Sequence, residues 1–294
     1  MGIKRRTRIW TTVGTAALAG TLAGCSEPAD ETGSEDPARS EQPATPSAPA
    51  DTQPAAAPAF SEGEGEGEGG GGGGEFGIDP EAAASDPVVY MIALEVMRAH
   101  YLAGIDAFEA GDRAAGAEMF AHPISEIYID FEPVLEALGA PLFGETMTEA
   151  SVAPYSGEGD DAVAAKVEAV IAAIDEAAEF APRSEVSDGA VHARVLADLV
   201  ERGALQYRVV ASDAAAGEAY LDGYGFAKAA ERYAGNHMDS IEAVSPQAAA
   251  ALADAMTQLD AAFPAALRPE TLGGNAETLV AAADAAKVRV NTLP

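Results

Sequence analysis

The stretch from Ser26 to Gly77 decides where this chain can and cannot have a core. It is dominated by Pro, Ala, Ser, Thr, Glu and Gly, and Phe60 and Phe76 are its only aromatic residues. Its second half reads Glu62-Gly63-Glu64-Gly65-Glu66-Gly67-Glu68 and then runs through glycines from Gly69 to Gly74. Ordering such a segment costs ~1–2 kcal/mol per residue in backbone entropy, and it holds too little apolar surface to offset that cost. Residues 25–77 are therefore expected to form a disordered acidic tether. Treated as a flexible coil, a tether of this length has a root-mean-square span of roughly 40 Å, and charge repulsion extends it further. Any core must lie in residues 78–294, which are numerous enough for one domain.

Ahead of the tether, Lys4, Arg5, Arg6 and Arg8 precede an uncharged run from Ile9 to Gly24. A basic start followed by an apolar segment too short to span a bilayer and then by small residues is the layout of a secretory signal peptide, here residues 1–24. The run closes on Leu22-Ala23-Gly24-Cys25, and Cys25 is the single cysteine of the chain. This tetrad resembles the lipobox of bacterial lipoproteins. The resemblance implies that the Cys25 thiol is acylated, with palmitate among the chains added, and becomes the new N-terminus. It also implies a cell-envelope protein anchored to the membrane by lipid and facing the periplasm. Ser26 after the cysteine, where aspartate would imply retention, points to the outer rather than the inner membrane. An ordinary secreted protein and an uncleaved N-terminal helix are the alternatives.

Charge narrows the function classes. The chain has 17 Lys plus Arg against 48 Asp plus Glu. Removing the four basic residues of the leader leaves 13 against 48, a net charge of −35. That excess repels nucleic acid, so no nucleic-acid partner is expected. With Cys25 acylated the mature domain has no thiol, which excludes disulfides, zinc–cysteine sites and cysteine nucleophiles. Histidine, carboxylate and tyrosine remain as metal ligands. No later apolar run approaches membrane-spanning length, which leaves the lipid as the sole attachment.

Periodicity in the domain is helical, and no alternating strand pattern closed by Asn-Gly turns is present. The expected fold is all-α, a helical bundle of about six or seven helices. Ser85-Asp86-Pro87 starts the first, which ends at Gly111. Asp112 caps a second that runs to Gly139, with Pro123 and Pro133 expected to bend or interrupt it. A third opens at Asp160 or Asp161 and ends at Pro182. A fourth spans about 187–211, and a fifth carries Tyr220, Leu221, Tyr224, Phe226 and Tyr233 to a stop at Gly235 or Asn236. Ser245-Pro246 begins a sixth, broken at Pro264, and Asn275 begins a seventh.

The histidines are His100, His122, His192 and His237, all in the helical domain. Glu118, His122 and Glu126 are four apart, so on an unbroken helix they stack on one face about 6 Å from one another, within reach of one cation. Imidazole and carboxylate one turn apart are how helix bundles build metal sites. Pro123 threatens that register. An acidic, alanine-rich helix also produces this spacing by chance, and the result is then a half-exposed histidine paired with a carboxylate. A bundle could bring His100 and His192 towards His122, which makes Glu118, His122, Glu126, His100 and His192 the candidate ligands. His237 is expected at a solvent-exposed helix end. Tyr207, Tyr220 and Tyr224 read as core residues with their hydroxyls at the rim. No nucleophile elbow, phosphate loop, His-Glu-x-x-His or dinucleotide fingerprint occurs, so no enzyme activity is expected.

From Ala107 to Leu138 the chain carries Phe108-Glu109-Ala110-Gly111-Asp112 and then Tyr128-Ile129-Asp130-Phe131-Glu132-Pro133-Val134-Leu135. This resembles the helical extracytoplasmic part of bacterial iron permeases, with Asp130 where they have glycine and Glu132 as the acidic residue of the Glu-Pro step. The same region is similar to imelysin-like lipoproteins of iron uptake. Their Gly-x-His-x-x-Glu motif is replaced here by His122-Pro123-Ile124-Ser125-Glu126, with one more residue between histidine and glutamate. The resemblance implies a domain that binds a small ligand or a metal ion, iron or another transition metal, and hands it to an uptake-system or envelope protein. The alternative is a non-catalytic structural or interaction lipoprotein that uses the helical body as a docking surface.

Overall fold

The computed structural model describes residues 77–294. The leader, Cys25 and the tether lie outside the described residues. All regular structure among the described residues is helical. A short α1 (Pro80–Ala83) is capped by Asp79, whose carboxylate accepts from the amides of Glu81 and Ala82. α2 (Pro87–Glu109) starts where the Asp-Pro pair predicts, with the Asp86 carboxylate accepting from the Val88 amide at 2.8 Å. Its mean hydropathy and length would suffice to cross a membrane. Here they serve a different end, because α2 is the central helix of the bundle and packs on α3, α6, α7 and α8. It carries the three buried polar residues Glu95, Arg98 and His100 through the core. Arg98 bonds Glu95 at 3.0 Å and Asp175 at 2.8 Å, so its buried charge is compensated.

The expected second helix is broken into three pieces: α3 (Arg113–Pro123), a π-turn over Ile124–Tyr128 and α4 (Ile129–Leu138). Asp112 caps α3 through the Ala115 amide, and Gly139 ends α4 with φ of 75°. Pro123 is where the break falls; Pro133 lies inside α4 without ending it. Next come α5 (Gly144–Val152) with a 3₁₀ turn at Ala153–Tyr155, then α6 (Asp160–Ala178), α7 (Asp188–Ser212), α8 (Gly217–Val244), α9 (Pro246–Ala262) and α10 (Ala276–Val290). α1 and α5 were not expected from periodicity. α5 is rich in Thr, Ser and Gly, weak helix formers, and only Met147 and Ala150 of it are buried.

The expected stop at Gly235 or Asn236 does not occur. α8 continues to Val244, because α7 runs alongside and buries Ile241 on the far side of those residues. Tertiary packing there overrides two weak helix formers. Two close approaches set the helix spacing. A Cβ on Gly116 would lie 2.5 Å from the Gly104 carbonyl oxygen, so α3 rests directly on the backbone of α2. Between α7 and α8 a Cβ on Gly189 would lie 2.3 Å from the Ser240 carbonyl oxygen. The core tyrosines anchor the periphery: Tyr207 to the backbone of Gly274, Tyr220 to the Ala265 carbonyl, and Tyr224 to Asp106 at 2.6 Å.

Candidate metal centre

The Gly104–Gly116 contact lets α3 approach α2 closely enough for His100 and His122 to meet, with ring centroids 6.3 Å apart and planes nearly perpendicular. His100 is 2% exposed. Its Nδ1 lies 2.9 Å from the Val96 carbonyl oxygen, which can only accept, so Nδ1 carries the hydrogen. The lone pair is thereby placed on Nε2, which faces the Glu126 carboxylate at 4.0 Å. A backbone carbonyl that fixes the tautomer is the usual support of a metal-ligating histidine. Burial, opposed by the Val96 bond and reinforced by the neighbouring His122, holds the His100 imidazolium down to about 4. At neutral pH the ring is uncharged, the form that binds metal.

Glu126 lies in the middle of the π-turn. After Pro123, which has no amide hydrogen to donate, the Ile124 amide bonds back to Ala121 and the Ile129 amide bonds to Ile124, five residues away. Glu126 stays beside His122 across this break, with Nδ1 to Oε1 at 4.0 Å. The proline expected to spoil the register leaves His122 and Glu126 side by side. Single π-turns within helices are frequent at functional sites.

One ligand atom each from His100, His122 and Glu126 lies within 4.8 Å of the other two. In a bound shell with metal–ligand bonds of about 2.0–2.2 Å, donors sit roughly 3–4 Å apart, so each would move by less than about 1 Å to close on an ion. The Glu126 side chain is partly exposed and has the freedom to do so. His122 has two further neighbours. Its Nε2 faces Glu118 Oε1 at 3.8 Å, and its Nδ1 faces Glu218 Oε1 at 3.9 Å. With Nδ1 turned to the ion, Nε2–H points at Glu118, the carboxylate–histidine–metal arrangement that orients a ligand. Glu118 lies outside the group of three, at the far ring nitrogen of His122, and Glu218 from α8 is a further carboxylate beside that ring. Glu218 was missed because no local spacing connects it to α3; only the tertiary packing of α8 does.

His192 does not join. It stands on α7 with its Nδ1 2.7 Å from the Tyr233 hydroxyl, stacked on His237 at a ring separation of 3.8 Å. The expectation that it approaches His122 is corrected by the course of α7, which faces α8 at that point. His237 is half-buried within α8 rather than exposed at a helix end, since α8 does not stop at Asn236. Among the described residues the triad of His100, His122 and Glu126 is the one group of three such ligands. No family model, curated protein or solved structure matches the chain.

Proposed function

We propose that the helical domain is an extracytoplasmic metal-binding domain, held to the cell envelope by an acylated Cys25. The observation that carries the reading is the convergence of His100 from α2 with His122 and Glu126 from α3 and its π-turn. Two imidazoles and a carboxylate suit iron(II), zinc or copper and are a poor set for calcium or magnesium, which take oxygen ligands. The resemblance of residues 107–138 to iron-uptake proteins selects iron among the three. The role is binding and hand-over rather than catalysis, with an uptake-system or envelope protein as recipient.

The test is metal content and thermal melting of the domain with added iron(II), zinc and copper. An ion that binds only the folded state at a hundredfold excess over Kd stabilises it by about 2.7 kcal/mol. For a domain of this size that is a rise of roughly 5 to 10 °C in Tm. One ion per chain and such a rise are expected, both lost in His122→Ala. No bound metal and no rise with any of the three ions would leave the domain a docking body without a ligand. Mass spectrometry of the mature N-terminus tests the anchor separately, and an unmodified Cys25 would refute it.

A further inference from the structure

We infer that the cavity between α3 and the start of α8 is the port through which a hydrated divalent cation reaches the His100–His122–Glu126 group. The inference rests on the metal-binding reading and adds a route to it. The cavity has a volume of about 250 Å³, room for several waters, and its wall includes Asp112, Ala115, Glu118, Glu218 and Arg268. Two of these residues belong to both places. Glu118 and Glu218 line the cavity, and their carboxylate oxygens stand 3.8 and 3.9 Å from the two ring nitrogens of His122. These two carboxylates are therefore the link between the cavity and His122 at the outer edge of the triad.

Burial gives the route a direction. Glu118 and Glu218 are about two-thirds exposed, His122 and Glu126 are about one-fifth exposed, and His100 is almost wholly buried. A cation moving inward exchanges water first for exposed carboxylates, then for imidazole and the half-buried Glu126, and last for His100. Charge reinforces the order. Arg268, on the cavity wall, is tied to the 210–214 segment by donating to the carbonyls of Ala214 and Val210. Its fixed positive charge turns a cation towards the carboxylate side. Acidic groups lining a cleft raise the local cation concentration and the on-rate, in a way that salt suppresses.

A port has a kinetic signature that a ligand lacks. Obstructing it slows loading and release equally and leaves Kd unchanged, because both directions use the same path. Ala115 lines the cavity and is not one of the three ligands, so Ala115→Phe is the obstruction. Glu118→Gln with Glu218→Gln removes the attracting charge on exposed side chains, where the fold is not at risk.

The experiment is stopped-flow association of cobalt(II) chloride with the full helical domain, with release measured by chelator chase. The expected results are association and dissociation both slowed at least fivefold in Ala115→Phe at constant Kd, and association slowed roughly tenfold in the double glutamine variant. The wild-type rate should fall with ionic strength more steeply than that of the double variant. Unchanged association rates in both variants would overturn the port while leaving the metal site intact. Absence of cobalt binding in the wild type would instead sink the reading beneath it. If Ala115→Phe fails to fold, Ala115→Leu and the double variant decide.

Discussion

The domain contains two pairs of histidines in contact, and their difference shows what makes a ligand set. His100 and His122 meet edge to face between α2 and α3; His192 and His237 stack face to face between α7 and α8. Both pairs are partly or wholly buried, and burial depresses the basicity of His100, His192 and His237 alike. Proximity and pKa therefore do not tell them apart. What differs is the surroundings of the nitrogens. The first pair has Glu126 facing both rings, with Glu118 and Glu218 behind it. In the second, His192 Nδ1 is spent on the Tyr233 hydroxyl, and the ring faces lie against each other rather than the lone pairs. Two imidazoles that stack are a packing element; two that turn their nitrogens to one carboxylate are a candidate centre.

The sharpest way to break this comparison is to delete each pair in turn and measure metal affinity. Removing His100 or His122 should weaken binding of iron(II) or zinc by roughly a hundredfold or more, beyond the 10–100-fold typical of changing a group that only orients a ligand. Replacing His192 or His237 by Phe should leave affinity within about threefold, since neither contributes a donor. Isothermal titration of the four variants checks it, and equal losses in both pairs would end the distinction.

A smaller effect tests how backbone approach builds the site. Gly116→Ala pushes a methyl group against the Gly104 carbonyl and the Phe108 backbone, so α3 must retreat from α2. A cost of about 2 kcal/mol is expected from overpacking, together with weaker metal binding as His122 moves away from His100. Gly189→Ala meets the Ser240 carbonyl between α7 and α8 and should cost a similar amount while sparing metal affinity. Urea unfolding and metal titration on both variants read the contrast.

Much of the fold is legible in the sequence because caps and apolar periodicity coincide. Asp86, Asp112, Ser245 and Asn275 each accept from a first-turn amide at the helix start that their residue type announces. The failures share a physical cause. α8 passes through Gly235 and Asn236, and α5 forms from weak helix formers, because packing outweighs intrinsic preference. Of the site, the His122–Glu126 pair is legible from spacing, and its survival next to Pro123 is not, because a π-turn has no simple sequence signal. His100 is a plausible partner from sequence but is distinguishable from His192 only by which helices pack together. Glu218 carries no local signal at all.

The third test concerns acid, where His100 and the stacked pair should behave alike until one is removed. Burial and the neighbouring His192 hold His237 down to about 4, against an ordinary 6.5. Between those pH values the unfolded chain takes up a proton that the folded chain declines. Stability from this group is therefore fully present above about pH 6.5 and declines as pH falls towards 4. His237→Gln removes that share, so the stability of the metal-free domain should fall less steeply over this window in the variant than in the wild type. The effect is the smallest of the three, because His237 is half-exposed and solvent screens it. His100, fully buried and with the same depressed value, should leave a residual slope in His237→Gln. A metal-free protein whose slope is unchanged by His237→Gln would mean that the stacked rings accept protons as readily folded as unfolded, and the α7–α8 contact would then be looser than its 3.8 Å stacking implies.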